Sequence, residues 1–200
     1  MIICDYGDIH DPVKWDFDES NIPIFIINNY VYKAHSLENA KLLASIRRKI
    51  DILCDNIDKD RYNWTVNKDN VELFLGIHKE YYYDPDVLPE PFHSISKKNL
   101  KTSRYLLSEI PSKTMWAGLN KPKMRFRESS GLLIGTDGDQ RPLYRDIFLD
   151  LKVPNLDKLV IHELAHTMAN HVNYRPDDHK YDFKVCENLI KKYWPSISNK

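Results

Sequence analysis

The stretch that most constrains this chain is Leu156-Asp-Lys-Leu-Val-Ile-His-Glu-Leu-Ala-His-Thr-Met168. Its apolar residues recur at helical spacing, and three groups that dislike burial are set among them. At about 100° per residue, His166 lies one turn beyond His162 and about 40° around from it, and Glu163 about 100° around. Val160, Leu164 and Met168 fall on the opposite side, where a core belongs. Pro154 breaks the preceding element, and Asn155 is a fair N-cap. Any fold for this chain must therefore pack one side of this helix and bring His162, Glu163 and His166 together on the other.

Two imidazoles one turn apart can hold a single ion at ~2.0–2.1 Å, with the neighbouring carboxylate within reach of a metal-bound water. His162 and His166 are accordingly read as ligands of a Zn2+ cofactor and Glu163 as general base. Zinc brings the pKa of its water down toward ~7. The carboxylate would take that water's proton and later pass a proton to the leaving amine. Four of the eight histidines fall between 162 and 179, which weighs against a chance match on a solvated helix face. A third ligand is needed, and two residues are candidates. His171, if the helix continues, points about 180° away from His162; its bland reading is a core or helix-end histidine. His179 is preferred, because 17 residues after His162 leave the chain room to fold back. Phe183, one turn beyond His179, would anchor the last helix. Asp177, Asp178 or Asp182 could orient a ligand imidazole through its second nitrogen, or simply cap and charge the helix start.

The rest of the chain supplies a frame. Residues 1–20 read as an irregular arm, and Ile22–His35 as one β-strand. Ser36 caps a helix whose apolar positions include Leu42, Leu43, Ile46, Ile50 and Leu53, ending near Asn56–Lys59. Asn70–His78 reads as a second helix and Ser103–Ile110 as a third short one, with a proline-bearing extended connection at Tyr81–His93. Gly118–Pro122 reads as a turn. Met124–Glu128, Leu132–Ile134 and Tyr144–Leu151 read as strands, the last two joined by a Thr136-Asp-Gly-Asp hairpin turn. A loop at Asn173–Asp178 and a helix to about Trp194 close the chain. The fold class is α+β, a small antiparallel or mixed sheet packed on the helix that holds the motif.

Charge and cysteine usage narrow the function. Lys plus Arg equals Asp plus Glu, 29 each, so no global field draws the chain to nucleic acid or acidic membranes. Three local basic clusters could still meet DNA phosphates: Arg47-Arg48-Lys49; Lys97, Lys98, Lys101 and Arg104; and Lys121, Lys123, Arg125 and Arg127. Solvated surface is their simpler reading. Cys4, Cys54 and Cys186 form no short metal spacing and no disulfide framework. No secretory leader or ~20-residue apolar run is present. The expected setting is intracellular, away from membranes. Trp64, Trp116, Trp194 and Cys186 read as core residues, and Tyr174 and Tyr181 as packing residues that could instead donate to an oxyanion.

The run His162-Glu-Leu-Ala-His166, followed by Asp178-His179-Lys-Tyr-Asp-Phe183, resembles the SprT-like and WLM-type zinc metallopeptidases. Its nearest likeness among them is to stand-alone WLM-like proteins of large DNA viruses. In that family HExxH is followed by a loop, a third histidine and, four residues later, an aromatic. The resemblance implies a zincin-like fold, metal on His162, His166 and His179, catalysis by Glu163, and Phe183 as anchor. It also implies a polypeptide substrate, in this family proteins crosslinked to DNA. Lys180 stands where the family has Gly. The likeness covers roughly residues 115–194. It divides the chain into a metallopeptidase core over 111–200 and a portion of unassigned role over 1–110, packed on that core. The competing reading is a non-catalytic, zinc-stabilised DNA- or protein-binding module.

Overall fold

The computed structural model describes residues 4–5, 22–28, 30–61, 64, 66–79, 105–111, 117–123, 125–126, 133–134, 144–171 and 179–195. Eight strands and four helices follow one another: β1 (Cys4–Asp5), β2 (Ile24–Ile27), β3 (Tyr30–Lys33), α1 (Leu37–Lys59), α2 (Lys68–Lys79), β4 (Tyr105–Glu109), β5 (Gly118–Lys123), β6 (Arg125–Phe126), β7 (Leu133–Ile134), β8 (Tyr144–Leu149), α3 (Leu156–Met168) and α4 (Tyr181–Tyr193). Six strands form a mixed sheet in the order β1-β5-β8-β4-β3-β2, and β6 pairs with β7 separately. The architecture is α+β with a mixed sheet, as the sequence leads one to expect. No helix among the described residues is long and apolar enough to cross a membrane.

Helix α1 begins where Ser36 Oγ accepts the amide of Asn39 at 3.1 Å. Its start is tied to the sheet by Glu109 at the end of β4. One Glu109 oxygen takes the amide of His35 at 2.7 Å and the other takes Asn39 Nδ2 at 2.9 Å. Leu43, Ile46, Ile50, Leu53 and Ile57 line its buried side. The helices pack on the sheet face that presents Tyr32, Tyr105, Leu107, Ile147 and Leu149, and together they make one core. Residues of α1 and α2 share that core with α3 and α4. On the other face, Ile110, Leu119 and Phe148 form a small apolar cluster. Beside it, Asp146 accepts from Ser108 Oγ at 3.0 Å and meets Lys33 Nζ at 3.5 Å.

Four elements differ from the sequence reading. Ile22–His35 is a hairpin, not one strand: β2 and β3 run antiparallel, and Asn28 turns the chain at φ 51°, a conformation Asn tolerates better than most residues. Ser103–Ile110 contains a strand, not a helix. All five residues of β4 are buried, and β4 pairs in parallel with β3 on one side and β8 on the other. Such a two-sided strand loses the alternation that marks half-buried ones. Gly118–Pro122 is not a turn but most of β5, antiparallel to β8 from Gly118↔Leu149 to Lys123↔Tyr144. Leu132–Ile134 and Tyr144–Leu151 do not pair as a hairpin either, since β7 pairs with β6 while β8 lies between β5 and β4. The Thr136–Asp139 turn, Tyr81–His93, Trp116, Tyr174 and Asp177–Asp178 lie outside the described residues, as do all but Cys4–Asp5 of the 1–20 arm.

Candidate metal centre

Helix α3 opens with Asn155 Oδ1 accepting the amide of Lys158 at 3.1 Å. It then runs between β5 and β8 on one side and α2 and α4 on the other. Leu159, Val160, Leu164 and Met168 are in the core, as their spacing requires. The polar side is less open than a solvated helix face would be. Glu163 and His166 are also fully buried, and His162 is half-buried.

The helix is held by β5, a contribution the sequence did not disclose. Gly118 and Asn120 face α3, two residues apart as a strand alternates. A Cβ at Gly118 would collide with Glu163 Oε1 and come within 2.6 Å of Leu159 Cδ1. Glycine is thus what lets the Glu163 carboxylate lie against the strand. Asn120 Nδ2 donates to the backbone carbonyl of Glu163 at 2.7 Å and to Thr167 Oγ1 at 2.8 Å. Its Oδ1 in turn accepts from Arg145 Nη1 at 3.1 Å. Arg145, on β8, is fully buried, and burial pushes its guanidinium down to about 9. Its Nη2 lies 3.4 Å from Asn170 Oδ1.

Asn170 ends the helix. Its φ of 53° is left-handed, and the amide of His171 reaches back to the carbonyl of His166 at 3.1 Å. This 6→1 bond is the Schellman closure of a helix C-terminus. It also makes His171 the helix-end histidine that the sequence allowed. His171 does not continue the helix to a position about 180° from His162. The turn folds it back, and its Nδ1 lies 2.9 Å from Nδ1 of His166.

His179 stands just before α4. His162, His166 and His179 each offer one ligand atom, and these three atoms lie within 4.8 Å of one another. His162 Nε2 and His179 Nε2 are 3.2 Å apart. The three ring centroids form a nearly equilateral triangle with sides of 5.0–5.1 Å. Phe183 sits below it, 4.7–4.8 Å from each ring, and is buried. His179 itself is exposed, so the triangle is closed by Phe183 beneath and open at His179.

One edge of this triangle has the spacing of two nitrogens that share a metal ion. Two nitrogens each ~2.05 Å from one ion at a tetrahedral angle stand about 3.3 Å apart, close to the observed 3.2 Å. Ligand imidazoles must also be neutral. Burial first, then the neighbouring histidines, pushes His162 down to about 4 and His166 well below the ordinary histidine range. Three histidines therefore lie close enough to bind a metal, and burial keeps the His162 and His166 rings neutral.

Other residues singled out in the sequence fall as follows. Cys186 is buried one turn after Phe183, and Cys54 is buried in the core. Trp64 is buried and donates to the carbonyl of Ile57 at 3.1 Å; Trp194 is half-buried against the core. Tyr181 is not a packing residue, being 79% exposed at the start of α4. Asp182 is exposed there too. Arg47 is no phosphate contact. It is buried with its guanidinium 3.7 Å over the ring of Tyr30, and Lys49 pairs with Asp157 at 2.7 Å.

No family model matches the chain, and no curated protein or solved structure shows significant similarity to it.

Proposed function

We propose that this chain is a zinc-dependent metallopeptidase with a zincin-like fold, related to the SprT-like and WLM-type enzymes. The observation that carries the proposal is the triangle of His162, His166 and His179 beside a buried glutamate one residue along the same helix. A purely structural zinc site is usually closed by four protein ligands, whereas a catalytic one takes three and keeps a fourth position open. Among the described residues the group contains three. An all-nitrogen donor set fits zinc well. When bound, zinc would act as Lewis acid toward the scissile carbonyl and make water acidic enough to react near neutral pH.

The chain's own residues have separate tasks in this scheme. His162, His166 and His179 hold the ion, and Phe183 keeps water from the underside of their rings. Glu163, fixed against Gly118, takes the proton of the attacking water on its carboxylate and delivers one to the departing amine. Asn120 fixes the backbone of that glutamate. The open side at His179, with exposed Tyr181 two residues on, is where a polypeptide would enter. The family resemblance extends the substrate class to proteins bound or crosslinked to DNA.

The test is proteolysis by purified protein, with and without DNA, alongside zinc content. The wild type should carry zinc and cleave. Glu163→Gln should keep the zinc and lose cleavage by ~10²-fold or more. A Glu163→Gln protein that cleaves normally would overturn the mechanism. A zinc-loaded wild type that cleaves no polypeptide would favour the binding-module reading.

A further inference from the structure

Three histidines meet around the candidate ion, yet a fourth is built into the same corner. We infer that His171 is the positioning residue for His166, holding its ring through Nδ1 so that Nε2 is the ligand atom. This rests on the proposed metal site and adds to it a residue that is not itself a ligand.

The argument starts from the backbone. An imidazole binds a metal through one nitrogen, and the hydrogen bond made by the other fixes its tautomer and orientation. For His166 that other nitrogen is Nδ1, 2.9 Å from Nδ1 of His171. Ligation then falls to Nε2, which must present a lone pair. His166 Nδ1 must therefore carry the proton and donate it, and His171 Nδ1 must accept, with the His171 proton on its Nε2. His171 can do this only because α3 stops where it does. The left-handed Asn170 and the bond from the His171 amide to the His166 carbonyl return His171 to the turn it has just left. Asn170 is steadied by the Arg145 side chain, and Arg145 by Asn120 of β5. The Asn120 side chain also donates to the Glu163 carbonyl. One chain of contacts, buried at Asn120 and Arg145 and part-buried at Asn170 and His171, thus reaches from the strand behind the catalytic glutamate to the ring of a ligand histidine. His171 lies outside the group of three, and its ring stacks at 16° to that of Phe183 with centroids 6.2 Å apart.

Two measurements test the role, and one needs no metal. In the metal-free protein, long-range 1H–15N correlation of the imidazoles should show His166 as the Nδ1–H tautomer. In His171→Ala it should shift toward the Nε2–H form that free histidine prefers. Zinc affinity, measured by chelator competition, should weaken by about 10–100-fold in His171→Ala, with the stoichiometry still one. His171→Asn, which keeps an acceptor, should recover part of the loss. Cobalt in place of zinc should give an absorption band displaced in His171→Ala and restored in His171→Asn. Complete loss of the site in His171→Ala, equal to that in His166→Ala, would make His171 a ligand and overturn the inference. Unchanged affinity and an unchanged His166 tautomer would overturn it equally. A wild type that binds no zinc would remove the proposed function itself, a different failure from zinc bound with His171 indifferent.

Discussion

His78 lies at the end of α2 with no exposed surface, its ring 4.3 Å from that of Phe74 and 4.2 Å from that of Tyr105. Among the described residues, neither ring nitrogen has a hydrogen-bond partner. Leaving a buried polar group unsatisfied costs ~1–3 kcal/mol, so His78→Phe should be neutral or stabilising near neutral pH. Burial, with the charges of Arg47 and Arg145, holds the imidazole well below the ordinary histidine range. The unfolded chain takes up a proton at this residue below about pH 6.5, and the folded chain does not. Stability present above that pH is therefore lost as pH falls, by up to ~1.4 kcal/mol per unit for this one group. Urea titrations between about pH 7 and 5, with chelator present so that the metal histidines behave alike in both proteins, should show a shallower acid loss in His78→Phe. Equal slopes would contradict the assignment. Gly118 makes the complementary case, where a side chain is excluded. Gly118→Ala should displace Glu163 and Leu159, costing ~1–3 kcal/mol and reducing cleavage while zinc stays bound. Wild-type stability and cleavage in that variant would show that the Glu163 carboxylate has room to move.

The helix-and-strand layout was legible wherever one side of an element meets water. Ser36 and Asn155 cap the helices their sequences announce, and α4 follows its apolar spacing through Phe183, Cys186, Leu189 and Ile190. It failed wherever an element is buried on both sides or takes its meaning from a distant partner. Tyr105–Glu109 is apolar without alternation, and a short run of that kind reads equally well as helix or strand. Gly118-Leu-Asn-Lys-Pro carries turn residues, yet its glycine answers to Glu163 and its asparagine to α3, 43 positions on in the case of Glu163. No local rule carries that information. The same holds for the α3 terminus. The left-handed Asn170 ends α3 and decides where His171 points, which helical spacing alone did not disclose. Because Asn120 joins β5, α3 and Arg145 with three hydrogen bonds, Asn120→Ala should destabilise the fold by about 1–3 kcal/mol. Urea denaturation measures this. A change under a few tenths of that range would mean the helix is held by apolar packing alone.

Across the whole molecule, the halves before and after residue 110 contribute to one sheet and one core. HExxH and its spacing to His179 were visible in the sequence. The burial of Glu163, the triangle over Phe183 and the Arg145 network needed all of these elements in place. The density of that core has a chemical signature. Burial pushes the Cys186 thiol up to about 12 and that of Cys54 higher still. A thiol that stays protonated is a poor nucleophile, so neither should react with iodoacetamide in the native protein, and both should react once urea unfolds it. Mass spectrometry of the labelled peptides would show it, and rapid native labelling of either would argue against this packing. The central claim is that residues 162, 166 and 179 share one ion. It is tested most directly by crystallising the protein with zinc and collecting anomalous diffraction at the zinc edge. The account predicts a single peak ~2.0–2.1 Å from one nitrogen of each of the three rings. A zinc-loaded crystal with no peak there, or with the ion held elsewhere, would contradict it.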